Sequence, residues 1–141
     1  MNTQPKKFLI FHILDILKRY TDEDHQLSQK EIGEILEREY DMKADRKSIR
    51  RNLLDLIDLG YDVGCSQSVR VKSDGEEEPL LTDWYLNREF TDGELRLLID
   101  SLLFSKHIPY SQCRELAEKL EGLSSRYFQA RVKHIAALPH N

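Results

Sequence analysis

The chain has 141 residues, of which 40% are hydrophobic and 33% charged, and its formal net charge is −4. That is a folded chain with room for one ordinary domain, or a small domain plus an appendage, and not a disordered one. No apolar run approaches the roughly 18 residues that span a bilayer. As a sum, −4 also argues against nucleic acid and against an anionic membrane surface, although a sum averages over regions with different roles.

The first segment, MNTQPKKFLIFHILDILKRY, sets two lysines before an apolar stretch, as a signal peptide does. Asp15, Lys18 and Arg19 interrupt it and no small-residue cleavage site follows, so it reads as an amphipathic helix over about Lys7 to Tyr20 of a cytoplasmic protein. Its apolar arc exceeds the ~100° that one surface requires, which predicts more than one neighbour. Thr21 to Leu27 reads as a polar loop. Ser28-Gln29-Lys30-Glu31 is a capping box opening a second helix that buries Ile32, Ile35, Leu36 and Tyr40. After a break at Asp41 to Ala44, Asp45 is placed to cap a third helix, about Arg46 to Leu59, and Gly60 to end it. Its core face is Ile49, Leu53, Leu56 and Ile57. The opposite face carries Lys47, Ser48, Arg51, Leu54, Asp55 and Asp58.

The period then changes from helical to two-residue. Tyr61, Val63, Cys65, Gln67, Val69 and Val71 alternate with polar residues and predict a strand. Ser73-Asp74-Gly75 is a turn signal, with the acids Glu76 to Glu78 in or beside it. Leu80 to Leu86 predicts the returning strand, with Leu80, Thr82, Trp84 and Leu86 on one face. Thr91-Asp92-Gly93-Glu94 is another capping box, opening a helix with Leu95, Leu98, Ile99, Leu102 and Leu103 on one side. Pro109 and Ser111 start a further helix with Leu116 and Leu120 inward. Ser124 starts a last one with Tyr127, Phe128, Val132 and Ile135 apolar. The expected fold is mainly α. Residues 1–88 form a winged helix-turn-helix of three helices and a two-stranded wing, and residues 89–141 a helical linker or dimerisation segment.

Catalytic, metal and cofactor chemistry are not expected. There is no G-x-S-x-G, no phosphate-cradling glycine loop, and no histidine spacing that suits a metal. Cys65 and Cys113 lack a C-x-x-C partner and read as structural thiols.

The informative stretch is Lys43 to Asn52, KADRKSIRRN. Lys43, Arg46, Lys47, Arg50 and Arg51 stand against one acid, Asp45, while Asp55 and Asp58 fall in the C-terminal half of the same helix. A helix that enters a major groove by its N-terminal end needs this polarity. Arginine donates two parallel hydrogen bonds to guanine, and Ser48 and Asn52 can face bases or phosphates. A solvated basic face paired to acids elsewhere is the plainer alternative, and Arg50 or Asn52 would then hold helices together. Two neighbours favour nucleic acid: Ser28, Gln29 and Lys30 start the preceding helix, where free amides meet phosphate, and Arg70 and Lys72 lie on the polar face of the wing.

The stretch LSQKEIGEILEREYDMKADRKSIRRNLLDLIDLGYDV resembles the N-terminal winged helix-turn-helix of bacterial WYL-domain transcriptional regulators. The stretch TDWYLNREFTDGELRLLIDSLLFSKHIPYSQCRELAEKLEGLSS resembles the helical segment that follows it. The resemblance implies DNA contact by Arg46, Lys47, Ser48, Arg50 and Arg51, with Ser28, Gln29 and Lys30 on the backbone. Trp84-Tyr85-Leu86 spells the family name, but it falls in the second wing strand and is not the signature of the WYL domain. That domain, proposed to sense an effector, lies downstream in the family, so a truncated chain or a short homologue without the sensor is expected. The expected partners are double-stranded DNA and a second copy of the chain, with no membrane. A winged-helix module that binds protein instead of DNA is the alternative.

Overall fold

A computed structural model describes residues 4–128 of the chain. Two compact units divide it, Met1–Asn87 and Arg88–Asn141. The first runs from a short 3-10 turn, Lys6–Phe8, through α1 (Leu9–Tyr20), α2 (Gln29–Tyr40) and α3 (Arg46–Asp58) into the antiparallel hairpin β1 (Val63–Val71) and β2 (Glu77–Leu86). The second contains α4 (Asp92–Leu103) and α5 (Tyr110–Glu121). The chain is thus mainly helical, three helices and a wing followed by further helices.

The core of the first unit takes one stripe from each helix. Ile13, Ile16 and Leu17 of α1 meet Ile32 and Leu36 of α2 and Ile49, Leu53 and Leu56 of α3, all fully buried. Each such side chain contributes about 1.5–3 kcal/mol of apolar burial. The wide apolar arc of α1 has the neighbours it needs, since this helix packs on α2, α3 and β2. Phe11 remains outside, 68% exposed. In α3 the buried stripe ends at Leu56, and Ile57, expected inside, is exposed because it lies a further ~100° round the helix.

Two polar devices tie the elements together. The Thr21 hydroxyl, fully buried at the end of α1, donates to the Leu17 carbonyl (2.6 Å) and accepts from the Leu86 amide (3.0 Å). Tyr40, at the end of α2, donates its hydroxyl to the Asp15 carboxylate and accepts from Arg19 (3.0 Å). Burial and then the Asp15 hydrogen bond push the Tyr40 phenol up to about 12. Residue Asp41 closes α2 in the left-handed region at φ 50°, a conformation that aspartate tolerates better than most residues.

The segment before α2 is not a plain loop. Leu27 exchanges both backbone hydrogen bonds with Trp84 (2.9 and 2.7 Å), so a one-residue bridge lies against β2. Trp84 is fully buried in the core, as packing rather than a surface platform. The hairpin also departs from simple alternation. Gly64 pairs with Tyr85 and Ser66 with Thr82, so Cys65 alone opposes Asp83 and Trp84. The extra residue in β2 is a bulge, with Asp83 at φ 57°. It inverts the parity of the strand: Leu81, not Leu80, shares the core side with Trp84 and Leu86, and Leu80 is exposed. The Tyr85 ring lies over Gly64, so a Cβ there, 2.5 Å from the ring, would force the ring to move.

In the second unit the capping box at Thr91 and Glu94 opens α4. Its core is Leu95, Ile99, Ala117 and Phe128, with Leu103 and Leu120 packed against it. Residues Leu98 and Leu116, expected inward, are exposed. The buried line of α5 is Cys113, Ala117 and Glu121, three residues at four-residue spacing, of which Ala117 packs with Leu95 and Ile99 of α4. Expectations for Val132 and Ile135 lie outside the described residues.

Candidate nucleic-acid interface

The third helix is oriented from both its start and its buried stripe. The Asp45 carboxylate accepts from the Ser48 amide at 2.7 Å. That bond first, then the Ser48 hydroxyl and the nearby Lys47 and Arg51, hold Asp45 below its ordinary carboxylate value. The cap is therefore ionised at neutral pH and matches the positive end of the helix dipole. With Ile49, Leu53 and Leu56 in the core, Arg46, Lys47 and Arg51 are forced to the surface. Among the described residues, none of Arg46, Lys47, Arg50 and Arg51 has a carboxylate within 4.0 Å. Four cations thus share the N-terminal half of one helix without an acid to neutralise them directly, while Asp55 and Asp58 stand exposed in the other half.

Two of the expected contacts on this helix are partly committed to the fold. Arg50 is half-buried and its Nε is sealed from solvent without a hydrogen-bond partner. Asn52 is half-buried and donates its side-chain amide back to the Ser48 carbonyl at 2.7 Å. Ser48 itself serves the Asp45 cap.

The start of α2 differs from the expectation in a physically simple way. The Ser28 hydroxyl accepts from the Glu31 amide and the Ser28 amide donates to the Glu31 carboxylate, both at 3.1 Å. The capping box that identifies the helix start therefore engages the Ser28 backbone amide, while the hydroxyl, used there as an acceptor, keeps its O–H to donate. The Gln29 side-chain amide donates to the Leu81 carbonyl at 3.0 Å, which anchors α2 to β2. Lys30 is exposed and has no ion pair within 4.0 Å among the described residues. An open groove of ≈ 620 Å³ runs between α2 and the N-terminal half of α3. Lys30, Lys43 and Arg46 line it, opposed by Glu34, Glu37 and Asp45. Of the bases, Lys43 is paired, its Nζ 3.7 Å from Glu37.

The wing carries the other expected cations, and they are paired as well. Arg70 Nε lies 3.8 Å and Lys72 Nζ 3.5 Å from the same carboxylate, Glu78. From Arg70 to Glu78 the wing tip holds two bases and four acids, a net of −2. On the other sheet face Val69 and Val71 are 63% and 65% exposed. Glu78 and Glu37 are the partners of these cations, and composition alone does not single them out. For Glu78 the signal exists in the turn. A three-residue Ser-Asp-Gly loop with glycine in the left-handed position (Gly75, φ 86°) sets the hairpin register, and that register puts Arg70 opposite Glu78.

No group of three His, Cys, Asp or Glu side chains placed to hold a metal occurs among the described residues, and no described helix is long and apolar enough to cross a membrane. Cys65 and Cys113 are free thiols, and partial burial pushes the Cys65 thiol up. Comparison with protein-family models, with curated proteins and with solved structures finds no match to this chain.

Proposed function

We propose that this chain is the DNA-reading part of a transcriptional regulator, with α3 lying in the major groove of double-stranded DNA. The observation that carries the reading is the cluster of Arg46, Lys47 and Arg51, exposed on the N-terminal half of α3 without ion pairs among the described residues and directly after a capped helix start, with half-buried Arg50 adding to the local positive charge. Cations without an ion pair among the described residues are available to phosphates and base edges at no cost of breaking a pair. The exposed acids Asp55 and Asp58 keep the other half of the helix off the backbone. Lys30, across the groove, adds a phosphate contact that positions without reading sequence. Kinship with WYL-domain regulators belongs to the same proposal. So does a homodimer, supported by the exposed apolar side chains of Leu97 on α4 and Phe104 at its C-terminal end. A monomeric mass by light scattering at micromolar concentration ends the dimer reading.

The test is a salt titration of binding to operator-containing DNA, the operator first selected from a random duplex pool. Each phosphate contact adds about 0.9 to the log–log slope, so α3 with Lys30 is expected to give a slope of roughly −3 to −4. A slope near zero overturns the proposal. A second reading, a winged-helix module that binds protein, is favoured by the acidic wing tip and its exposed valines. Absence of binding to any duplex at about 50 mM salt, where phosphate contacts are strong, would select it.

A further inference from the structure

The two basic regions of the first unit differ in one respect that bears on how DNA is engaged. The cations of α3 have no ion pair among the described residues, whereas both cations of the wing share Glu78. Arg70 on β1 and Lys72, one residue past its end, are two residues apart in extended chain and so project to the same side of the hairpin, about 7 Å from each other. The cross-strand register sets Glu78 directly opposite Arg70 on that face, and its carboxylate oxygens reach one base each: Oε1 the guanidinium, Oε2 the ammonium. The triad carries a net +1 instead of +2, and Asp74, Glu76 and Glu77 surround it with further negative charge.

We propose that Glu78 is an internal stand-in for phosphate that keeps Arg70 and Lys72 off the nucleic acid, so that α3 engages DNA while the wing remains disengaged. This rests on the DNA-binding reading and refines it: Glu78 sets how many phosphates the protein contacts. A phosphate approaching the wing must displace a carboxylate already in place and pass an acidic tip, and the displaced carboxylate would then face the DNA backbone. An exposed ion pair is weak by itself, but its loss here is compounded by like-charge repulsion between Glu78 and phosphate. The wing thereby contributes shape and an electrostatic boundary rather than affinity.

The experiment measures the salt dependence of duplex binding for the full chain and four variants: Glu78→Gln, Glu77→Gln, Arg70→Ala/Lys72→Ala, and the triple variant that joins the first and last. Glu77 is the control for bulk charge, since it neighbours Glu78 on β2 but projects to the opposite face and has no ion pair among the described residues. All four positions lie on the surface of the hairpin, and far-UV circular dichroism verifies that each variant is folded. Glu78→Gln is expected to bind roughly threefold to tenfold more tightly at about 50 mM salt and to steepen the slope by about 1 to 2. Arg70→Ala/Lys72→Ala should leave the wild-type slope unchanged, and in the triple variant the gain should vanish. Three results overturn the inference while sparing the DNA reading: no change in Glu78→Gln, an equal gain in Glu77→Gln, or a slope loss of about 2 in Arg70→Ala/Lys72→Ala. A flat slope in the wild type and in all variants overturns the DNA reading and this inference with it.

Discussion

The N-terminal half of α3 and the wing tip contain the same ingredients and end as opposite surfaces. Each places arginine and lysine on a polar face, and each has acids nearby in the chain. In α3 the acids are either consumed by the helix start, as Asp45 is by Ser48, or separated from the cations along the helix, as Asp55 and Asp58 are. In the wing the hairpin folds the acidic run back across the bases, and Glu78 lands between them. A helix keeps neighbours in sequence as neighbours in space within four residues, whereas a hairpin juxtaposes residues eight apart. Local composition is therefore a fair guide to the surface of a helix and a poor one for a hairpin.

The comparison breaks most completely if the body that carries both regions is lost. Trp84 is fully buried in the core of that body, bonded through its backbone to Leu27. Trp84→Ala is expected to destabilise the first unit by about 3–5 kcal/mol, measured by urea denaturation, and to remove DNA binding with the fold. Trp84→Phe should be far milder than that, since the indole N–H has no hydrogen bond to lose among the described residues.

Next in size is Arg51→Ala. An exposed arginine without an ion pair on α3 should, when removed, weaken operator binding by about 1–3 kcal/mol and relax sequence preference, whereas Lys30→Ala should weaken all duplexes alike. Competition binding against operator and scrambled DNA separates the two. Equal losses on both duplexes for Arg51→Ala would remove it from sequence reading.

Smaller effects sharpen the contrast by touching stability alone. Tyr40→Phe removes the hydroxyl that links Asp15 to Arg19 and is expected to cost about 1–2 kcal/mol with an unchanged salt slope. The Tyr40 phenol is raised from 10.0 to about 12, so the folded state prefers the protonated form. Its stabilisation is complete below pH 10 and is lost as pH rises towards 12, and the difference between wild type and variant should shrink over that window. Smallest of all is Arg70→Ala, whose exposed pair with Glu78 should contribute only about 0–1 kcal/mol to folding. A larger loss in denaturation would mean that Glu78 holds the wing together rather than shielding it.

Much of the fold was legible because its signals are local. Ser28 to Glu31 and Thr91 to Glu94 announced helix starts that the structure reproduces as capping boxes, and Asp45 capped α3 as its position implied. The stripes of α1, α2 and α3 followed from a helical period that does not depend on partners. The strand pair was legible as alternation up to the bulge at Asp83, where a single residue in the left-handed region reversed which leucine faces the core. The bridge from Leu27 to Trp84 was invisible, since one paired residue has no period.

By itself, then, the sequence determined the order of the elements, their caps and the basic character of the N-terminal half of α3. These depend on backbone hydrogen bonds and side-chain spacing within a few residues. Only the tertiary structure decided which charges are available. Lys43 sits beside Glu37, Gln29 is bound to Leu81, and Arg70 and Lys72 are held by Glu78. Electrostatic interaction falls with distance in space and not in sequence, so bases near acids in both stretches of sequence left α3 exposed as a cationic surface and the wing closed on itself.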